Sequence, residues 1–246
     1  DYTAAQLERF YRNYYRPDNA ILMIIGDVDE KTALTSVKKL FGEYKNPESK
    51  IPRLNIREPK QEGERRVSIE RPSTQNIVSI GFKHPGFPSA GWFETAILMD
   101  VLTGSEESIL YKLLVDSGKA SSVEAGIEPS SDESMGTINV SLAKGISHAA
   151  IEDSVKKTIS NLDTKTISTH VRKAKVKFIA GEKFTRDSSL KLAQELTEYV
   201  SSGKWESFGK TIEILDSITP ASVIARSKTC FDKQKLIVGT FIGSKK

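Results

Sequence analysis

Cysteine is nearly absent: Cys230 stands alone among 246 residues. An internal disulfide is excluded, as is any cysteine-based zinc finger. One thiol says nothing about redox compartment. Histidine is almost as scarce, confined to His84, His148 and His170. A helical zinc peptidase places two histidines one turn apart, because both must reach one metal, with a glutamate between them as base. None of these histidines has another within a turn. No apolar run approaches the ~18 residues of a membrane span. The longest, Ala20 to Ile25, has the length of a buried strand. There is no Gly-x-Ser-x-Gly elbow and no Walker loop. The opening residues, a charged Asp1 before a polar helix, are not signal-like. Neither sign of charge dominates. Lys+Arg 36 against Asp+Glu 32 leaves +4, too weak and mixed to argue for nucleic acid. Neither nucleic acid nor membrane is expected as a partner.

What is present is an ordinary globular composition, 38% hydrophobic and 28% charged. A chain of this length buries roughly 70–75% of its unfolded surface and needs no staple. Residues 3–13 read as an amphipathic helix, with Thr3 as N-cap and Gln6 placed for a capping box. Its apolar stripe is Leu7, Phe10, Tyr11 and Tyr14. Arg16-Pro17-Asp18-Asn19 is a turn cluster. Ala20 to Ile25 then reads as a strand buried on both faces, ended by Gly26-Asp27. Asp29 caps a second helix running to about Tyr44, with Ala33, Val37, Leu40 and Phe41 inward.

The far end repeats this pattern. Thr219-Pro220 starts a helix in the same way, followed by Val223, Phe231, a polar turn and a strand from Leu236 to Ile242. Thr3 and Thr219 stand 216 positions apart, and Leu7–Val223, Tyr15–Phe231 and Ile21–Ile237 share that spacing. The matches predict an internal duplication whose unit is about as long as the chain. Residues 1–45 are then the C-terminal remnant of a first domain, 46–64 a polar, proline-bearing linker, and 65–246 a complete second domain.

The second domain opens with two strands, around Val67–Ile69 and Val78–Phe82. Helices follow at about Trp92–Thr103 and Glu107–Asp116. Ser121–Glu128 and Gly136–Leu142 alternate as a hairpin. Ser147 caps the next helix, and more helices precede the closing strand. Hairpin-joined strands with helices gathered after them predict α+β, with helices packed on one face of a mainly antiparallel sheet.

Other features carry less. His148 and Glu152 share a helix face but lack a third metal ligand. His84, before Pro85, and Cys230, on an apolar helix side, read as structural. Arg172, Lys173, Lys175, Lys177 and Lys183 crowd one helix beside an inward stripe of Val171, Ala174, Phe178 and Gly181. Without interleaved aromatics, this is a solvated face rather than an RNA platform. Asn139-Val140-Ser141 matches a glycosylation acceptor but lies in a strand.

Several stretches resemble one family. LERFYRNYYRPDNAILMIIGDVD from Leu7, RRVSIERPSTQNIVSIGFKHPG from Arg65, SILYKLLVDSGKASSVEAG from Ser108, VSLAKGISHAAIE from Val140 and the Gly203-Lys204-Trp205 turn resemble, in order, the pitrilysin (insulinase) family of zinc metallopeptidases. The resemblance implies tandem α+β domains enclosing unfolded peptide in a chamber. It places the His-x-x-Glu-His zinc motif in a first domain, ahead of Asp1, so zinc is expected there and no cofactor in this chain. Many family members carry an Arg and a Tyr in the second domain that reach the substrate. Those positions match Val115 and Ser121, the only substrate-contact candidates, and neither offers a cationic or phenolic donor to an oxyanion.

The expected function is therefore the non-catalytic C-terminal portion of a zinc metalloendopeptidase, closing the chamber and helping to hold peptide. The alternative is an inactive scaffold or partner subunit of the same family. Expected partners are peptide substrate and a catalytic first domain or partner subunit. Self-association through residues 20–25 is a further expectation.

Overall fold

The computed structural model describes residues 2–53 and 58–244. They form two compact units: Asp1–Pro59 with Arg186–Glu195, and Lys60–Thr185 with Leu196–Lys246.

In the first unit, helix α1 (Ala4–Tyr14) begins with the expected capping box. Gln6 N donates to Thr3 Oγ1 at 3.3 Å, and Thr3 N donates to Gln6 Oε1 at 2.9 Å. A 3₁₀ turn, Pro17–Asn19, follows. Asp29 caps helix α2 (Glu30–Phe41) by accepting from Thr32 N at 2.8 Å. The faces expected to point inward are open: Leu7, Phe10, Tyr11, Leu40 and Phe41 are all exposed. The Ala20–Ile25 strand is not formed. These residues run as irregular chain, and Ile21 is 69% exposed. The reason is that a strand exists through its ladder. An apolar, β-branched run favours extended backbone, but no described residue pairs with this one.

Arg16, expected only as part of a turn, is buried. Its Nε donates to Asp18 Oδ1 at 2.6 Å, and its Nη2 to Asp18 Oδ2 at 2.8 Å and to Pro47 O at 3.0 Å. The Arg16 hydrogen bonds hold the Asp18 carboxyl below the usual carboxylate range. They also tie the proline-bearing segment to the turn.

The second unit is built on five strands: β1 (Arg65–Pro72), β2 (Ile77–His84), β3 (Ala120–Gly126), β4 (Ser134–Leu142) and β5 (Ile237–Ser244). Their order is β1-β5-β2-β4-β3. β1 and β5 are parallel, and the other three pairings are antiparallel. Its helices are α3 (Ala90–Thr103), α4 (His148–Ser160), α5 (Thr164–Thr185), α7 (Thr211–Ser217) and α8 (Pro220–Cys230), while α6 (Ser189–Ser201) is divided between the units after Glu195. This is the expected α+β class.

The core lies between sheet and helices. Val78, Ile80, Phe82, Ile138, Val140 and Val238 point into it from the strands and meet Ile97, Leu98, Leu102, Ile151, Val155 and Val223. Period-two alternation in the strands puts these residues on one side and leaves the other side open. Cys230 is buried within the core, which pushes its thiol pKa up despite a Thr95 hydroxyl 3.9 Å away. The helix expected over Glu107–Asp116 is shorter and wider. Its Tyr111–Val115 part is a π-helical turn, closed by Asp116 N donating to Tyr111 O at 3.2 Å. Lys119 N donates to Leu114 O at 2.8 Å, continuing the five-residue spacing.

The likeness between the two ends of the chain extends further than the sequence matches. α1 and α8 are both 11 residues long, both start from a threonine capping box, and both lead into a three-residue 3₁₀ turn, Pro17–Asn19 and Lys233–Lys235. The 216-residue spacing holds throughout. The likeness ends there: residues 237–244 form β5, while 21–28, at the same spacing, form no strand.

Candidate functional site

The side of the sheet turned away from the buried core is left open. Register fixes what it displays. Val67 lies opposite Gly239, Ile69 opposite Phe241, and Phe241 opposite Ile77. These side chains share one face with Ile237 and Met135. Val67 is 54% exposed and Ile69 46%, whereas Ile77, Ile237 and Phe241 are half-buried. Gly81 permits this patch to close up. A Cβ there would come within 3.3 Å of Met135 Sδ and 3.4 Å of Ile237 Cβ. Towards β3 the same face turns polar. Ser79 Oγ donates to Asn139 Oδ1 at 2.5 Å, and Asn139 Nδ2 donates to Thr137 Oγ1 at 3.3 Å. Asn139 is thus a half-buried strand residue engaged in this row.

β1 is also an edge. Its only pairing among the described residues is with β5, so one row of backbone donors and acceptors is free. Besides its ladder with β5, this exposed strand is tied to α4 by a charge cluster on the helix side. Arg66 Nη2 lies 2.5 Å from Glu152 Oε1, and Nη1 lies 3.1 Å from Oε2. Lys156 Nζ donates to Glu152 Oε1 at 2.6 Å and to Glu64 Oε2 at 2.5 Å. Burial pushes the Glu152 carboxyl up, but hydrogen bonds from Arg66 and Lys156 outweigh it and leave the pKa below its ordinary value. Lys156 shows the converse: burial lowers it, and Glu152 and Glu64 raise it above the normal lysine range.

Val115 and Ser121 lie at one end of the sheet. Val115 closes the π-helical turn, and its carbonyl accepts from Gly118 N at 2.9 Å. Gly118 has φ +71°, where only glycine is unstrained, and it turns the chain into β3. Ser121 sits on the irregularity between Ala120 and Ser122, exposed, with its Oγ donating to Ser141 O at 3.3 Å. Val115 is half-buried and packs against the core, whereas Ser121 is exposed at the start of β3.

The histidines do not converge. His84 is buried, with Nδ1 2.9 Å from Pro85 O. His148 Nε2 lies 2.9 Å from Phe241 O, and His170 Nε2 lies 3.3 Å from Glu107 O. His148 and Glu152, which share a helix face, thus serve different partners. No group of three or more metal-type side chains occurs among the described residues, so these residues do not fit a zinc ion. The basic helix α5 spends much of its charge internally. Lys173 pairs with Glu107 and Lys177 with Asp100, and Lys175 donates to the carbonyls of Asp216 and Ile218 at 2.7 and 2.8 Å.

A family model described as the peptidase M16 inactive domain matches residues 1–175. The chain belongs to the peptidase M16 inactive-domain family. The resemblance to pitrilysin-type zinc metallopeptidases, and the expectation of a non-catalytic domain, are both borne out. Among relatives of this M16 domain is the zinc protease PqqE of Helicobacter pylori, 31% identical over 124 residues, which are 50% of this chain and 28% of that protein. The probable zinc protease PqqL of Escherichia coli is 29% identical over 85 residues, 34% of this chain and 9% of that protein. The chain thus matches under a third of each relative's length. In fold, it aligns with the structure of a protease from Helicobacter pylori at a TM-score of 0.90 and 21% identity, over 98% of this chain and 59% of that one. A peptidase M16 inactive domain from Pseudomonas fluorescens aligns at 0.82 and 16% identity, over 100% and 59%.

The open face was recoverable from the alternation in β2 and β4, but the free β1 edge was not. Nor was the β1–β5 pairing, because its partners lie more than 150 residues apart.

Proposed function

We propose that this M16 domain closes the substrate chamber of a zinc metalloendopeptidase and holds unfolded peptide on its open sheet face and β1 edge. The supporting observation is that face: an exposed apolar row, Val67 and Ile69, beside a free backbone edge. An extended peptide can pair with such an edge while alternate side chains rest on the apolar row. Zinc and catalysis then lie in another domain or in a partner subunit. Residues 1–45 belong to that first domain, residues 46–64 connect the two, and 65–246 form the second. The repeat supports this assignment. Leu7, Tyr11 and Tyr14 occupy the positions of Val223, Ser227 and Cys230, all buried in the second unit. By the same spacing, residues 21–28 take the place of β5, between one parallel and one antiparallel neighbour.

Val115 and Ser121 favour a second reading, an inactive scaffold or partner subunit, since neither can stabilise a developing oxyanion. Both readings are tested by assaying the chain together with the parent's remaining sequence. Peptide cleavage that needs this chain supports the first. Unchanged cleavage without it, or a parent lacking the zinc motif, supports the second.

A further inference from the structure

A cavity of about 180 Å³ opens between the C-terminal end of α4, the last turn of α8 and the entry to β5. It lies on the helix side of the sheet and is separate from the open face. Ile159, Phe231 and Leu236 supply its apolar walls, and Lys156, Lys228 and Lys233 supply its charge. The three lysines are not equivalent. Lys156 is matched by Glu64 and Glu152. Among the described residues, no acid pairs with Lys228 or Lys233, which are both exposed. An enclosed apolar cavity of about 150 Å³ is roomy enough to accept benzene, so the volume here suits a guest of that size. Here the apolar walls stand beside two uncompensated ammonium groups.

We propose that this cavity binds an apolar carboxylate: one ring or about eight carbons in the cavity, with the carboxylate held by Lys228 and Lys233. A free small acid and the carboxyl-terminal apolar residue of a short peptide share this chemistry. The inference is independent of the proposed chamber role. The Arg66–Glu152–Lys156–Glu64 cluster borders the site but is internally matched, so it leaves the positive field of the two free lysines in place.

The test titrates the full chain with 3-phenylpropanoate and octanoate, with 3-phenylpropanamide as the uncharged control, following amide shifts by NMR. Ala-Ala-Ala-Phe, as free acid and as amide, forms the peptide arm. The acids shift residues of α4 and α8, and the amides bind about tenfold or more weakly, as the loss of one charged contact requires. K228Q/K233Q, changed only at exposed positions, weakens the acids by a similar factor and leaves the amides unchanged. Binding of the small acids alone assigns a small-molecule site, and tighter binding of the peptide acid assigns a peptide terminus. No shifts up to about 10 mM, equal binding of acid and amide, or an unaffected double variant overturns the proposal.

Discussion

Arg66 on the edge strand and Glu152 on α4 make a two-pronged hydrogen-bonded ion pair, at 2.5 and 3.1 Å, that fastens the most exposed strand of the sheet to the helical layer. Glu152 is 6% exposed, so loss of its charge leaves Lys156 and Arg66 beside a buried neutral group with Glu64 as their remaining acid. Glu152→Gln is expected to cost about 1–3 kcal/mol at neutral pH, in the range for hydrogen bonds to charged groups. Urea unfolding checks this.

The same pair sets an acid dependence. The folded-state pKa of Glu152 lies below its ordinary 4.5, so the pair's contribution is complete above that value. It fades as pH falls through the lowered folded value. The stability gap between wild type and Glu152→Gln should therefore be constant from pH 7 to 5 and shrink below about 4.5. A gap that widens on acidification contradicts this assignment.

The second unit should fold without the first, and its start matters. Gln61 Nε2 donates to Leu236 O at 3.0 Å, and Glu64 pairs with Lys156, so these residues, expected as linker, are anchored. A fragment 60–246 should melt cooperatively and be about 1–2 kcal/mol more stable than 65–246. An insoluble or molten 60–246 fragment, with a folded full chain, counts against the division. The fragment keeps residues 186–195, which group with the first unit, and α6 should show their reduced protection from hydrogen exchange.

Residues 20–25 offer a strand without a sheet. The expected outcome is concentration-dependent self-association of the full chain in sedimentation, relieved by Ile21→Lys with Ile25→Lys, while the spectrum of the second unit is unchanged. A chain that stays monomeric at high concentration, with these residues strongly protected from exchange, removes the basis for pairing.

Much of this architecture was legible because its signals are local. A threonine with Gln6 three residues later satisfies helix-start donors whatever surrounds it, so the Thr3 capping box appears in place, and Thr219 before Pro220 starts its helix as read. Alternation in β2 and β4 likewise survives folding as a buried and an open face. The failures are non-local. Ala20–Ile25 carries strand propensity but no neighbour, and the burial of Arg16 depends on Pro47, 31 residues away. The π-helical turn at Tyr111–Val115 has the same apolar spacing as a short α-helix. As for the site, Val115 and Ser121 stood out only through family resemblance. The free β1 edge depends on a parallel pairing that no sequence signal announces.

The central claim is tested most directly by peptide binding to the open face. A fluorescently labelled, unfolded peptide of mixed apolar sequence is titrated with the full chain and with Val67→Lys/Ile69→Lys, whose positions are exposed. The account predicts saturable binding to the wild-type chain, no cleavage on prolonged incubation, and about tenfold or greater weakening in the double variant. Equal affinity of both proteins, or cleavage of the peptide by the chain alone, contradicts it.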